Sequence, residues 1–189
     1  QEFYALLAAN YVEDDGGEFR FDYSKEFLMW ALTVPNYRKD WHVGVRSPAK
    51  DGKPGKLMAS ITAVPALLQV HGVQMSVVEI NFLCVHKKLR DKRLSPMLIR
   101  EITRRVNLTG RWQAVYTAGA LLPGCKARCR YWHRTLQPEK LIEVKFSFLP
   151  MGKTMPQHVA DLDLPKKPLH AFRPMLESDV SQVTALLNT

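Results

Sequence analysis

At the start of the chain apolar side chains recur at helical spacing. Phe3, Leu6, Leu7 and Tyr11 share one face of residues 2–12 and predict a helix. The run Glu13-Asp14-Asp15-Gly16-Gly17-Glu18 ends it, because paired glycines do not hold a helix and clustered acids repel. Ser24 is then expected to cap a second helix through Leu32, with Phe27, Leu28, Ala31 and Leu32 on one face and Pro35 as its stop. From Trp41 the period falls to two. Trp41, Val43 and Val45 alternate with His42, Gly44 and Arg46, which predicts a half-buried strand. Residues 47–56 read as a turn, 57–64 as a second strand and His71-Gly72 as a tight connection. Residues 73–85 form a long third strand. Its apolar end (Ile80, Phe82, Leu83, Cys84, Val85) is expected to be buried on both faces and therefore central.

Ser95-Pro96 has the composition of a cap followed by proline at the first helical position. Leu98, Ile102 and Val106 stripe that helix, Arg104 and Arg105 suit its C-terminal dipole, and residues 107–110 end it. Residues 112–117 read as a strand and 138–144 as a short helix. Five prolines in residues 150–174 give a linker-like composition. The tail from Arg173 reads as an extended segment, a cap and a new amphipathic helix, and Ala185-Leu186-Leu187-Asn188 weakly echoes Ala5-Leu6-Leu7 with Asn10. The expected organisation is one domain over 1–150, a proline-containing linker over 151–172, and the truncated start of a second, similar domain over 173–189.

The 189 residues are 46% apolar and 24% charged, the composition of a folded domain with a real core. No apolar run is long enough to span a bilayer as a helix, and no secretory signal pattern opens the chain, which begins at Gln1 and reads as the interior of a longer polypeptide. Three cysteines (Cys84, Cys125, Cys129) do not make a disulfide framework, so a reducing, cytoplasmic location is expected. The net charge of +9 is uneven: residues 1–40 hold eight acids and four bases, the remainder ten acids and 23 bases. A basic body implies an anionic partner, either nucleic acid or a nucleotide-bearing cofactor.

The unit that carries most chemistry is strand, basic loop, helix. Lys87, Lys88, Arg90, Lys92 and Arg93 fall within seven residues just ahead of a helix N-terminus, where free N–H groups and the dipole favour phosphate. A solvated basic turn or a nucleic-acid patch remains open from chemistry alone. The latter would bind with steep salt dependence. Cys125-x3-Cys129-x3-His133 does not have zinc spacing and sits among repelling bases, so no metal site is expected. Cys84 reads as a buried structural thiol. Neither a G-x-S-x-G elbow nor a P-loop is present in the sequence. Phe19, Phe21 and Tyr23 alternate after the acidic run, either as core packing or as an aromatic wall beside carboxylates.

The string Glu79-Ile80-Asn81-Phe82-Leu83-Cys84-Val85-His86-Lys87 resembles the signature of the glycylpeptide N-myristoyltransferase family. The resemblance continues through Tyr11-Val12-Glu13-Asp14-Asp15, Phe19-Arg20-Phe21-Asp22-Tyr23, Leu89-Arg90-x-Lys92-Arg93-Leu94, Tyr116-Thr117-Ala118-Gly119 and Cys129-Arg130-Tyr131-Trp132-His133-Arg134, and covers nearly the whole chain in order. It implies an α/β fold, a GNAT-like acyl-CoA N-acyltransferase half-domain with a curved, mostly antiparallel sheet flanked by helices. It further implies transfer of myristate from myristoyl-CoA to the N-terminal glycine amine of peptides or nascent proteins, with no prosthetic group and myristoyl-CoA as a substrate.

By the same resemblance the backbone N–H groups of Phe82 and Leu83 form an oxyanion hole, and Asn81 and Thr117 place the reacting glycine. Asn10, Val12, Phe82, Leu83, Cys84, Val85, Arg90, Asp91, Lys92, Arg93, Leu94, Ser95 and Pro96 meet the acyl-CoA. Phe19, Phe21, Tyr23, Tyr131 and His133 line the peptide groove, Gly119 also meets the peptide, and Asp14 and Asp15 meet basic residues of the substrate. The base is implied to be a carboxylate at the end of a second half, a partner outside these residues. Asp91 departs from the usual Ser of the basic loop; it either pairs with a neighbouring base or weakens CoA affinity. Gly16-Gly17 replaces an expected acid, and residues 123–128 replace a more proline-rich loop. An acyl-CoA-binding half without catalysis, or a degenerate paralogue, is the alternative reading. The basic surface is expected to suit ribosome or anionic-membrane contact, with no specific nucleic acid; ribosome association that survived high salt would count against a charge-driven contact.

Overall fold

A computed structural model describes residues 1–14, 16–119, 121, 123–164 and 172–188. The chain divides into two compact units, Gln1–Arg128 and Cys129–Thr189.

The first unit is built on a four-stranded sheet in the order β1 (His42–Arg46), β2 (Leu57–Val70), β3 (Val73–Val85), β4 (Ala114–Val115). The first three strands are antiparallel, and β4 lies parallel to β3. The β2–β3 hairpin closes through His71 and Gly72, both at positive φ, a two-residue turn whose twist matches the flanking strands. Parallel pairing requires a crossover, supplied by α3 (Leu94–Asn107). Leu98, Ile102 and Val106 of α3 bury against Trp41, Val43, Ala59, Ile61, Ala63 and Val78 on one sheet face. The opposite face is covered by α1 (Glu2–Asn10) and α2 (Lys25–Leu32), which bring Leu6, Leu7 and Leu28 against Phe82 and Cys84. Ser24 caps α2 as its sequence requires, accepting the Phe27 N–H at 3.0 Å.

Three expectations are corrected in this unit. The run buried on both faces is Ala59–Ala63 of β2; in β3, Asn81 and Leu83 are exposed. The strand expected over 112–117 pairs at Ala114 and Val115 alone. α3 begins one residue before Ser95, with Arg93 as its N-cap at φ +53, because the basic loop is itself a 3-10 turn (Lys87–Lys92) that runs straight into it.

The second unit holds α4 (Pro138–Glu143), α5 (Met155–Leu162) and α6 (Val180–Leu187). α5 lies inside the segment whose prolines read as a linker. Thr154 and Gln157 form a capping box around Pro156, a start signal that proline content obscured. Arg134 donates to the carbonyls of Leu162 and Asp163 at the end of α5. No described helix is long and apolar enough to cross a membrane.

Candidate active site

The register of β2 against β3 slips between Ser60–Cys84 and Thr62–Asn81, so Phe82 and Leu83 together oppose Ile61 alone. This is a β-bulge, with Phe82 at φ +52, a conformation bulky side chains rarely adopt. The bulge reverses the phase of the strand. Val78 and Ile80 pack towards α3, Phe82 and Cys84 towards α1 and α2, and Val85 towards α3 again.

Side chains hold the distortion from both sides. Thr62 Oγ1 donates to the Asn81 carbonyl at 2.9 Å, and Ser60 Oγ to the Phe82 carbonyl at 3.2 Å. The Phe82 N–H donates to Asn81 Oδ1 at 2.8 Å. Pairing with β4 stops at Glu79–Val115, so the β3 edge from Ile80 onward has no paired strand on that side among the described residues. Thr117 and Gly119 follow β4 as exposed positions.

The basic turn sits directly beyond the bulge. Its first residue is fastened to the end of α1, where Asn10 Oδ1 accepts the Lys87 N–H at 3.0 Å and the Asn10 carbonyl accepts from Arg90 at 2.9 Å. His86 Nδ1 accepts the Lys88 N–H. Glu13 completes the junction, with Lys87 Nζ at 2.8 Å, Arg20 at 2.9 Å and Arg90 at 3.5 Å from its carboxylate. Lys87 first, then Arg20, hold its pKa down to about 2. Lys88, Lys92 and Arg93 form no ion pair among the described residues and are exposed at the α3 N-terminus. Asp91 is exposed without an ion pair among those residues, so the pairing considered for it does not form there.

Asp14 structures its own loop, accepting the N–H groups of Phe19 and Gly16. Asp15 lies outside the described residues. The exposed Phe21 stacks on Tyr23 at 5.8 Å, Tyr23 stacks on Phe27 at 4.9 Å, and Tyr23 meets Phe82 edge-on at 5.8 Å. An aromatic wall therefore runs from the acidic loop to the bulge. Val12 is exposed, and its carbonyl accepts the Phe21 N–H. Burial first, then Tyr23, push the Tyr11 phenol above its ordinary value, and burial pushes the Cys84 thiol up to about 11. A thiol held so firmly protonated is a structural one.

Two grooves flank α2. An open one of about 840 Å³ is lined by Phe3, Leu28, Met29, Leu57, Ser60 and Thr62, and a smaller one of about 240 Å³ by Trp30, Ala31, Val64, Asn81 and Phe82. Leu32 and Thr62 border both, so each reaches the bulge. The larger one mixes its apolar residues with Gln1, Lys25, His42 and Arg46, whereas the smaller one is mostly apolar and suits part of an aliphatic chain.

The structure thus gathers Asn10, Val12, Phe21, Tyr23, residues 81–85 and the basic turn in one unit. Tyr131 and His133 belong to the second unit, where both are exposed. Sequence reasoning missed Glu13, Ser60 and Thr62. Glu13 stood inside a recognised motif, whereas nothing in an alternating strand marks Ser60 and Thr62 beyond their being polar in an apolar run.

Residues 1–129 match the protein family described as Myristoyl-CoA:protein N-myristoyltransferase, N-terminal domain. The chain is 52% identical over 188 residues to a glycylpeptide N-tetradecanoyltransferase of Drosophila melanogaster and 50% identical to one of Dictyostelium discoideum. The matches cover 99% and 100% of this chain but 39% and 45% of those relatives, so it spans about two fifths of their length. A crystal structure of Saccharomyces cerevisiae N-myristoyltransferase with bound myristoyl-CoA superposes with a TM-score of 0.86 at 49% identity, over 99% of this chain and 44% of that one.

Proposed function

Because the chain belongs to the myristoyl-CoA:protein N-myristoyltransferase family, we propose that it binds myristoyl-CoA and activates the thioester for attack by an N-terminal glycine amine. The observation that carries this reading is the bulge at Phe82–Leu83, held by Ser60, Thr62 and Asn81 beside a mostly apolar groove and a cationic turn.

The chemistry follows from those parts. Lys88, Lys92 and Arg93, with the α3 N-terminus, take the CoA phosphates. The unpaired β3 edge beyond Glu79 offers backbone groups to the amide-bearing arm of CoA, and the groove takes the acyl chain. The amine nitrogen adds to the thioester carbonyl, placing negative charge on its oxygen, where the Phe82 and Leu83 N–H groups stabilise it. Collapse forms the amide and breaks the C–S bond, releasing the CoA thiol. The incoming ammonium must first lose a proton, so a base is required. We assign it to the C-terminal carboxylate of a second half, as the family resemblance implies. Asn81 and Thr117 place the glycine. Phe21 and Tyr23 line its approach.

The test is calorimetric titration of the chain with myristoyl-CoA, followed by mass spectrometry after incubation with a glycine-starting peptide and its N-acetylated control. Binding is expected, and its absence overturns the reading. Product confined to the free-amine peptide would show that these residues supply a base as well. Binding without product supports an acyl-CoA-binding half whose base lies elsewhere.

A further inference from the structure

Five cations crowd the turn over residues 87–93, and they do not behave alike. Lys87 and Arg90 face the Glu13 carboxylate, which also holds Arg20. Arg20 in turn donates to the Ala8 carbonyl, and Glu13 bridges Arg20 through the backbone, so the acid is itself fixed on the end of α1. With 17% of its side chain exposed, Glu13 is more enclosed than either loop cation it binds. Asn10 acts at the same junction, its Oδ1 accepting the Lys87 N–H and its carbonyl accepting from the Arg90 guanidinium. The turn is therefore pinned at its first and fourth residues, while Lys88, Lys92 and Arg93 stay open.

We propose that Glu13 is a positioning residue for acyl-CoA. It acts as an internal anion that claims Lys87 and Arg90, and thereby fixes the turn so that Lys88, Lys92 and Arg93 converge on the phosphates. The proposal rests on the reading above that this turn meets CoA phosphates. It opposes simple electrostatics in sign. An acid beside a polyanion site should weaken binding, and its neutralisation should strengthen it. A pinned turn predicts the reverse, because loosening it makes the phosphates bear the ordering entropy of long cationic side chains.

Titration of the full chain separates the two. Glu13→Gln should bind myristoyl-CoA about tenfold more weakly, the scale of one charge-assisted hydrogen bond. Glu18→Gln makes the same change of charge at an exposed acid with no ion pair among the described residues, and should leave affinity unchanged or slightly tighter. Glu13→Asp keeps the charge on a shorter arm and should fall between wild type and Glu13→Gln. Myristoyl-pantetheine, which lacks the nucleotide phosphates, serves as the second ligand, and the Gln and Asp variants should bind it like the wild type. Equal losses for both ligands would make Glu13 merely structural and overturn the proposal, as would tighter binding by Glu13→Gln. Failure of the wild type to bind myristoyl-CoA would instead overturn the functional reading beneath it.

Discussion

Asn81 Oδ1 accepts the N–H of the next residue, Phe82, at 2.8 Å, so one of the two proposed oxyanion donors already has a partner of its own. The thioester carbonyl must compete with that amide oxygen. Asn81→Asp would strengthen the rival acceptor and add repulsion to the developing oxyanion. In wild type, the stretch of a 13C-labelled thioester carbonyl should move to lower frequency on binding; in Asn81→Asp that shift should largely vanish while affinity changes little. Removing one oxyanion donor typically lowers turnover by about 10²–10³-fold, which sets the scale for any transfer measured. An undiminished carbonyl shift in the variant would exclude the Phe82 N–H from the hole.

The bulge should depend on two hydroxyls of β2. Ser60→Ala and Thr62→Val each strip the donor from a bulge carbonyl. Each should cost about 1–3 kcal/mol in urea unfolding, because a carbonyl in a buried or part-buried site loses its partner. The pair should cost less than the sum, since once one hydroxyl is lost the distorted turn relaxes. Strict additivity would mean that the two carbonyls are held independently.

Cys84 should resist alkylation. Cys125 and Cys129 are exposed, so two thiols should react promptly in the native chain and the third only on unfolding. Folding raises the Cys84 thiol from 9 to about 11 by burial. Its preference for the folded state is therefore complete below pH 9 and lost as pH rises towards 11. Prompt reaction of all three thiols at pH 8 would contradict the buried position.

The helices at the start and the first three strands were legible because each announces its period: Ser24 before an apolar stripe, Trp41-x-Val43-x-Val45, and His71-Gly72 as a turn, although β2 runs on to Val70, past the end expected at 64. The apolar string from Ile80 to Val85 was legible as unusual but not as a bulge. It breaks alternation because the strand changes phase at Phe82, and a phase change and two-sided burial leave the same trace in one sequence. β4 was overcalled because Trp112 and Tyr116 look like strand residues, although both are exposed beyond a two-residue pairing. In the site, motif strings located the basic turn and the aromatic wall. What holds them, Glu13 to Lys87 and Ser60 to Phe82, links positions far apart in the chain, which no local pattern encodes.

Arg93 is the best place to test the phosphate assignment, because its backbone allows charge and strain to be separated. It caps α3 at φ +53. Glycine adopts that conformation freely and is tolerated at an N-cap. Arg93→Gly should therefore keep or raise the melting temperature while weakening myristoyl-CoA about tenfold, the scale of one charge-assisted contact. Myristoyl-pantetheine binding should not change. Equal weakening of both ligands would remove Arg93 from the phosphate site.

Acid should expose the pinned turn directly. Glu13 is pulled down to about 2, by Lys87 and then Arg20, and Glu101 to about 2, by Arg104 and then Arg105. A depressed carboxylate stabilises the fold fully above its unfolded value near 4.5, and that contribution is lost as pH falls towards 2. The urea midpoint should therefore slip a little between pH 7 and 5, where burial holds His42 below its ordinary value and protonation begins to favour the unfolded chain, and decline steadily below about pH 5. Glu13→Gln should start lower at pH 7 and decline less steeply, because one of the linked protons is gone. Glu101→Gln should flatten the same slope without touching acyl-CoA affinity, since its arginines lie on α3 away from the turn. If Glu13→Gln kept the full acid slope, the carboxylate would not be ion-paired in solution, and the pinned turn would have to be held by Asn10 alone.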